Sequence, residues 1–186
     1  MKRLIILLLL ILVFSFVAGA ADETTSGLDV KLSVKPESYG FVEIRNSDGD
    51  TYSTYSNNSP VCIDTADGYY RTGKAYLYYY AVGPTTLKLQ VVIEQALKSD
   101  TKSVNYKITF SDTASGKWNG ESLKEKEINS SNKRTISIST MSPSDEKNTL
   151  EKEGMCLLTF TTTDMLTGFN FNDTFESYVT VKLISD

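Results

Sequence analysis

Apolar and polar residues alternate one by one along most of this chain, and a polypeptide with that period can bury only one side of an extended strand. Leu28, Val30, Leu32 and Val34 are interleaved with Asp29, Lys31 and Ser33, and Pro36 ends the run. Val42 and Ile44 repeat the pattern up to the turn Asn46-Ser47-Asp48-Gly49-Asp50. Leu87, Leu89, Val91 and Ile93 alternate with Lys88, Gln90 and Glu94, and Val104, Tyr106, Ile108 and Phe110 with Asn105, Lys107 and Thr109. Ile136 and Ile138 mark a short strand; Cys156, Leu158 and Phe160, then Val179, Val181 and Leu183, form two closing ones. A slip of one residue would drive Lys and Glu into the core, so the register is strongly specified.

The spacing of these runs and of the turns between them predicts about eight or nine strands and no βαβ unit. Residues 76–82 and 87–94 read as a hairpin joined by Gly83-Pro84-Thr85-Thr86. Residues 51–60, rich in Ser, Thr, Tyr and Asn, read as an exposed loop. One short helix is expected near 143–153, with Ser142 as cap, Pro143 at its first position and Gly154 at its end. The expected architecture is an all-β, antiparallel sandwich of the immunoglobulin-like or Greek-key type. A membrane barrel fits poorly, because the polar strand faces carry Lys and Glu where lipid would lie.

The amino terminus has a different grammar. Lys2 and Arg3 precede an apolar run from Leu4 to Phe14, and Ala18-Gly19-Ala20 places small residues at a cleavage site. This predicts a signal peptide over 1–20, a single mature domain over 21–186, and an exported protein in the periplasm, at the cell surface or outside the cell. The whole chain carries a net charge of −4, and losing Lys2 and Arg3 makes the remainder more acidic. An acidic chain without a basic block has no footprint for nucleic acid. Past the leader no segment reaches the roughly 18 apolar residues of a membrane helix. The chain has no histidine, which removes Ser-His-Asp and Cys-His catalysis and every histidine metal site. No catalytic, cofactor or metal residue is therefore expected.

Two cysteines, Cys62 and Cys156, are expected to pair, because an oxidising compartment favours a bridge. The pair does not imply an immunoglobulin domain. Gly154, not tyrosine, stands two residues before Cys156, and Trp118 lies too far after Cys62. Asn46, Asp48 and Asp50 begin like a calcium loop, but Thr51 replaces its glycine, so these residues read as turn formers. Tyr76, Tyr78 and Tyr80 share one face of a strand and, with Trp118, are the candidate ligand face. The structural alternative puts that tyrosine row in the core, with Leu77 and Tyr79 toward solvent, and is the expectation here.

The short export signal, the Ser- and Thr-rich body and the closing strand Glu176-Ser177-Tyr178-Val179-Thr180-Val181-Lys182-Leu183 resemble the small secreted bacterial β-sandwich proteins of the pilin-like and adhesin-like kind. Ser185 is penultimate where chaperone-usher pilins carry tyrosine, so donor-strand assembly is not implied. The resemblance implies a non-enzymatic structural or interaction subunit with a protein or glycan partner. The alternative is a carbohydrate-binding module that uses the tyrosine face.

Overall fold

A computed structural model describes residues 27–35, 40–67, 69–112, 127–143, 149–166 and 174–185. The expected signal peptide and Trp118 lie outside these residues. Thirteen strands are described: β1 Leu28–Lys35, β2 Gly40–Arg45, β3 Val61–Cys62, β4 Thr65–Asp67, β5 Tyr70–Gly83, β6 Leu87–Ile93, β7 Leu97–Lys98, β8 Ser103–Val104, β9 Tyr106–Asp112, β10 Glu127–Asn129, β11 Thr135–Met141, β12 Leu150–Thr162 and β13 Phe175–Ser185. Five of them are only two or three residues long, which is why the sequence pattern registers fewer. An alternation needs about four residues to be visible.

The protein is an all-β sandwich. The first sheet runs β11-β6-β13-β1-β3, with β7 and β8 attached beside β13; the second runs β10-β9-β12-β5-β2, with β4 attached to β5. The pairing is mainly antiparallel, with one departure: β1 runs parallel to β13 over its whole length, from Leu28 opposite Phe175 to Lys35 opposite Lys182. No local turn can make such a pair, so it forms only when the two ends of the described chain meet.

The residues that alternate in phase form one core between the sheets. Val30, Leu89, Val91, Val179 and Val181 of the first sheet face Leu77, Ile108, Leu158 and Phe160 of the second, and all are buried. Each such side chain contributes roughly 1.5–3 kcal/mol on burial. A polar bond crosses this core. Buried Tyr106 on β9 and Ser177 on β13 share a hydrogen bond of 2.7 Å, and the serine hydroxyl donates onward to the Gln95 carbonyl at 2.6 Å. Burial pushes the Tyr106 phenol well above its ordinary pKa.

Four expectations are corrected. First, β5 and β6 are not a hairpin but lie in different sheets, and Gly83 to Thr86 arches from one layer to the other. Both strands have an apolar inner side, and lying in opposite layers turns both of these sides toward the core, while other strands supply their hydrogen bonds. β5 pairs with β12 from Thr72 to Gly83, and β6 pairs with β13 and β11.

Second, the described part of the expected helix over 143–153 is not helical. Leu150 to Glu153 already belong to β12, and 144–148 lie outside the described residues. A helix there would have only Leu150 to bury; as a strand the same residues extend the sheet beside β5 and bury that leucine. Gly154 ends nothing: a Cβ on it would lie 2.9 Å from the Tyr79 ring, so glycine leaves room for an aromatic opposite it.

Third, Cys62 and Cys156 are not joined in a disulfide; the first is exposed and the second buried. Val61 and Ile63 point inward, so Cys62 points out of the edge strand of the first sheet, while Cys156 points into the core from the second. A disulfide needs Cβ vectors that converge, and these do not.

Fourth, the tyrosine row is reversed. Ala75, Leu77, Tyr79 and Ala81 are the buried side of β5, and Tyr76, Tyr78 and Tyr80 face outward and are half-buried. Three phenol hydroxyls in the core would each have needed a buried partner, whereas small alanines beside one tyrosine fill the space without that cost.

Candidate functional site

The outer face of the second sheet has three aligned rows. Phe41 on β2 stands opposite Tyr80 on β5, which stands opposite Glu153 on β12. Glu43, Tyr78 and Met155 form the next row; Arg45, Tyr76 and Leu157 form the third. β2 contributes because Val42 and Ile44 are buried, which forces Phe41, Glu43 and Arg45 to the other side. Met155 is 3% exposed although it stands on this side, outside the core cluster between the sheets. The outer face thus shelters apolar surface of its own.

The rings are braced by charge. The Phe41 ring lies 5.6 Å from that of Tyr78 and 5.8 Å from that of Tyr80, tilted by 45° and 33°. Tyr78 donates its hydroxyl to Glu153 Oε1 at 2.7 Å, and Tyr80 reaches Glu151 Oε1 at 3.5 Å, both diagonally across the β5–β12 pair. The Arg45 guanidinium sits 3.8 Å from the Tyr78 ring centre and 3.9 Å from that of Tyr52, which enters from the loop after β2. Arg45 Nε and Nη2 both donate to Glu43 Oε2, at 2.9 and 2.7 Å. Phe41 and Tyr52 are exposed by 41% and 39%. Partial burial and the bond to Glu153 push the Tyr78 phenol up to about 12.

A second concavity lies at the sandwich edge. Tyr55, Pro60, Cys62, Asp64, Thr72, Gly73 and Lys74 line a cleft of about 470 Å³. Its floor exists because Gly73 passes close to the Cys62 carbonyl, where a Cβ would collide at 2.5 Å. The Cys62 thiol donates to Asp29 Oδ1 at 3.6 Å. Desolvation by the cleft walls and the carboxylates of Asp29 and Asp64 push this thiol up to about 11, so it is protonated and unreactive at neutral pH.

Of the residues singled out from sequence, the structure brings Tyr76, Tyr78 and Tyr80 together on one face and keeps Cys62 and Cys156 apart. Among the described residues no group of three or more His, Cys, Asp or Glu could hold a metal ion. Asn46 behaves as a turn former: its side chain accepts from Ser53 N at 2.8 Å and its own amide bonds Ser53 O at 3.0 Å. Among the described residues no helix is long and apolar enough to cross a membrane. Phe41, Glu43, Arg45, Tyr52, Glu151 and Glu153 were not singled out. The alternation in Phe41-Val42-Glu43-Ile44-Arg45 already turned three of them outward, but nothing local placed β2 and β12 on either side of β5. The chain matches no protein-family model, no curated protein and no solved structure in the three comparisons made.

Proposed function

We propose that this chain is an exported, non-enzymatic β-sandwich that serves as a structural or interaction subunit at the cell surface or in the periplasm, and that it meets its partner through the outer face of the second sheet. The observation that carries this reading is the braced aromatic row of Phe41, Tyr78 and Tyr80 on a sheet side that faces away from the core. Aromatic rings with arginine are the side chains that anchor interfaces, because they bury large area with little loss of rotamer freedom. The leader-like residues 1–20 support export. The carbohydrate-binding reading draws on the same row; the ring tilts count against it, since a sugar ring stacks best on a flat platform.

Site-specific photocrosslinking in the producing cells tests this. A photoreactive residue in place of Phe41 should trap a partner, and one in place of Lys182 on the other sheet should not. Equal trapping from both positions, or none from position 41, would sink the proposal, as would recovery of the protein in the cytoplasm with residues 1–20 attached.

A further inference from the structure

We infer that the outer face of the second sheet receives a cationic side chain, a lysine or arginine carried on a basic segment of a partner protein, seated over Phe41 and Tyr80 beside Glu151 and Glu153. This rests on the interaction reading above and names the chemistry of its partner.

The face already shows the chemistry once, satisfied from within. The Arg45 guanidinium is held between the Tyr52 and Tyr78 rings, and the Glu43 carboxylate neutralises it. The electron-rich ring faces attract the cation and the carboxylate fixes its position. One row along, the same components recur without a cation. The Phe41 and Tyr80 rings lie side by side, Phe41 exposed, and Glu151 and Glu153 are exposed next to them. The polar contacts of these two carboxylates are the hydroxyls of Tyr80 and Tyr78. Among the described residues no Lys or Arg forms an ion pair with either glutamate, and none stacks over Phe41 or Tyr80. Lys152 lies between the glutamates in sequence and is paired with Ala81, which puts it on the opposite side of the strand. With Glu43 and Arg45 cancelling, two negative charges remain beside an exposed ring.

That complement selects for positive charge. A neutral glycan would gain hydrogen bonds from the carboxylates but nothing from their charge. A basic segment gains ring contact and charge together, and an acidic surface also steers such a partner during encounter.

The test uses the full exported protein, titrated with short oligo-arginine and oligo-lysine peptides and with a neutral cello-oligosaccharide. The peptides should bind, and more weakly as salt is raised. The double change Glu151→Gln with Glu153→Gln keeps an acceptor for each tyrosine hydroxyl and so preserves the fold. It should weaken binding by about tenfold, and Phe41→Ala should weaken it by about fivefold. A control of equal charge on the other sheet, Glu94→Gln with Glu176→Gln, should leave affinity unchanged. Equal weakening by both double variants would overturn the proposal, because the attraction would then be the protein's overall acidity. Binding of the oligosaccharide alone would overturn the cationic partner and keep the interaction face. Binding of neither probe, with crosslinking from position 41 intact, would also reject only the cationic partner; loss of that crosslinking as well would reject the face itself.

Discussion

The two sheets obey the same alternation and present unlike exteriors. On the first sheet, Lys31 Nζ meets Glu176 Oε2 at 2.7 Å, Ser33 and Thr180 share a hydrogen bond at 2.9 Å, and Tyr178 lies under the Lys31 ammonium. One ion pair there, Lys31 with Glu176, closes across the parallel β1–β13 pair. On the second sheet, rings occupy the middle, arginine and glutamate are consumed in bracing them, and Glu151 and Glu153 are left with phenol partners alone. The lesson is that a polar strand face is not one thing. The first carries the Tyr178 ring beneath an ion pair, whereas the second leaves two carboxylates without a counter-ion beside its rings.

The sharpest way to break this comparison lies within β5, where neighbours point to opposite sides. Tyr79→Ala removes a ring from the core and should cost roughly 3–5 kcal/mol. Tyr78→Ala removes a half-buried ring and one charge-assisted hydrogen bond and should cost only about 1–2 kcal/mol. Denaturant titration of both variants reads the difference. Equal losses, or a larger one for Tyr78, would reverse the inside and outside of the second sheet.

Alkaline titration tests the burial of both sides of β5 next. Tyr78 and Tyr79 are both pushed up to about 12, mainly by desolvation. The folded protein therefore holds these protons more tightly than the unfolded chain, whose phenols ionise near 10. The stability they supply is complete below about pH 10 and is lost as pH rises from there through about 12. Phenolate absorbance should show Tyr78 and Tyr79 ionising only as the protein unfolds. A single transition near 10 with the fold intact would remove the braced row.

The smallest effect belongs to the first sheet. The Glu176 carboxylate beside Lys31 raises that ammonium's pKa, but the pair lies in water. Exposed ion pairs of this kind are screened and offset by side-chain entropy. Lys31→Met should leave the unfolding midpoint where it is, at low and high salt alike. A clear, salt-dependent drop would show that the outer face of the first sheet is also a built site.

Much of this was legible in the chain. Leu87, Leu89, Val91 and Ile93, or Leu158 and Phe160, could be assigned to a core from their spacing, because a strand has only two sides and period two selects one of them. Eight of the strands are six or more residues long, close to the eight or nine that the alternation implied. The errors share a cause. Alternation divides a strand's residues into two sets but does not say which set is inside when both are apolar, and Tyr76, Tyr78 and Tyr80 against Leu77 and Tyr79 is such a case. Nor does it name the neighbouring strand. That Gly83 to Thr86 crosses between layers, that β1 lies parallel to β13, that Cys62 faces out while Cys156 faces in, and that Phe41 and Glu153 flank Tyr80 are all facts of long-range pairing. They are decided when distant segments compete for the same hydrogen bonds and the same core volume, a competition that only the assembled tertiary structure resolves.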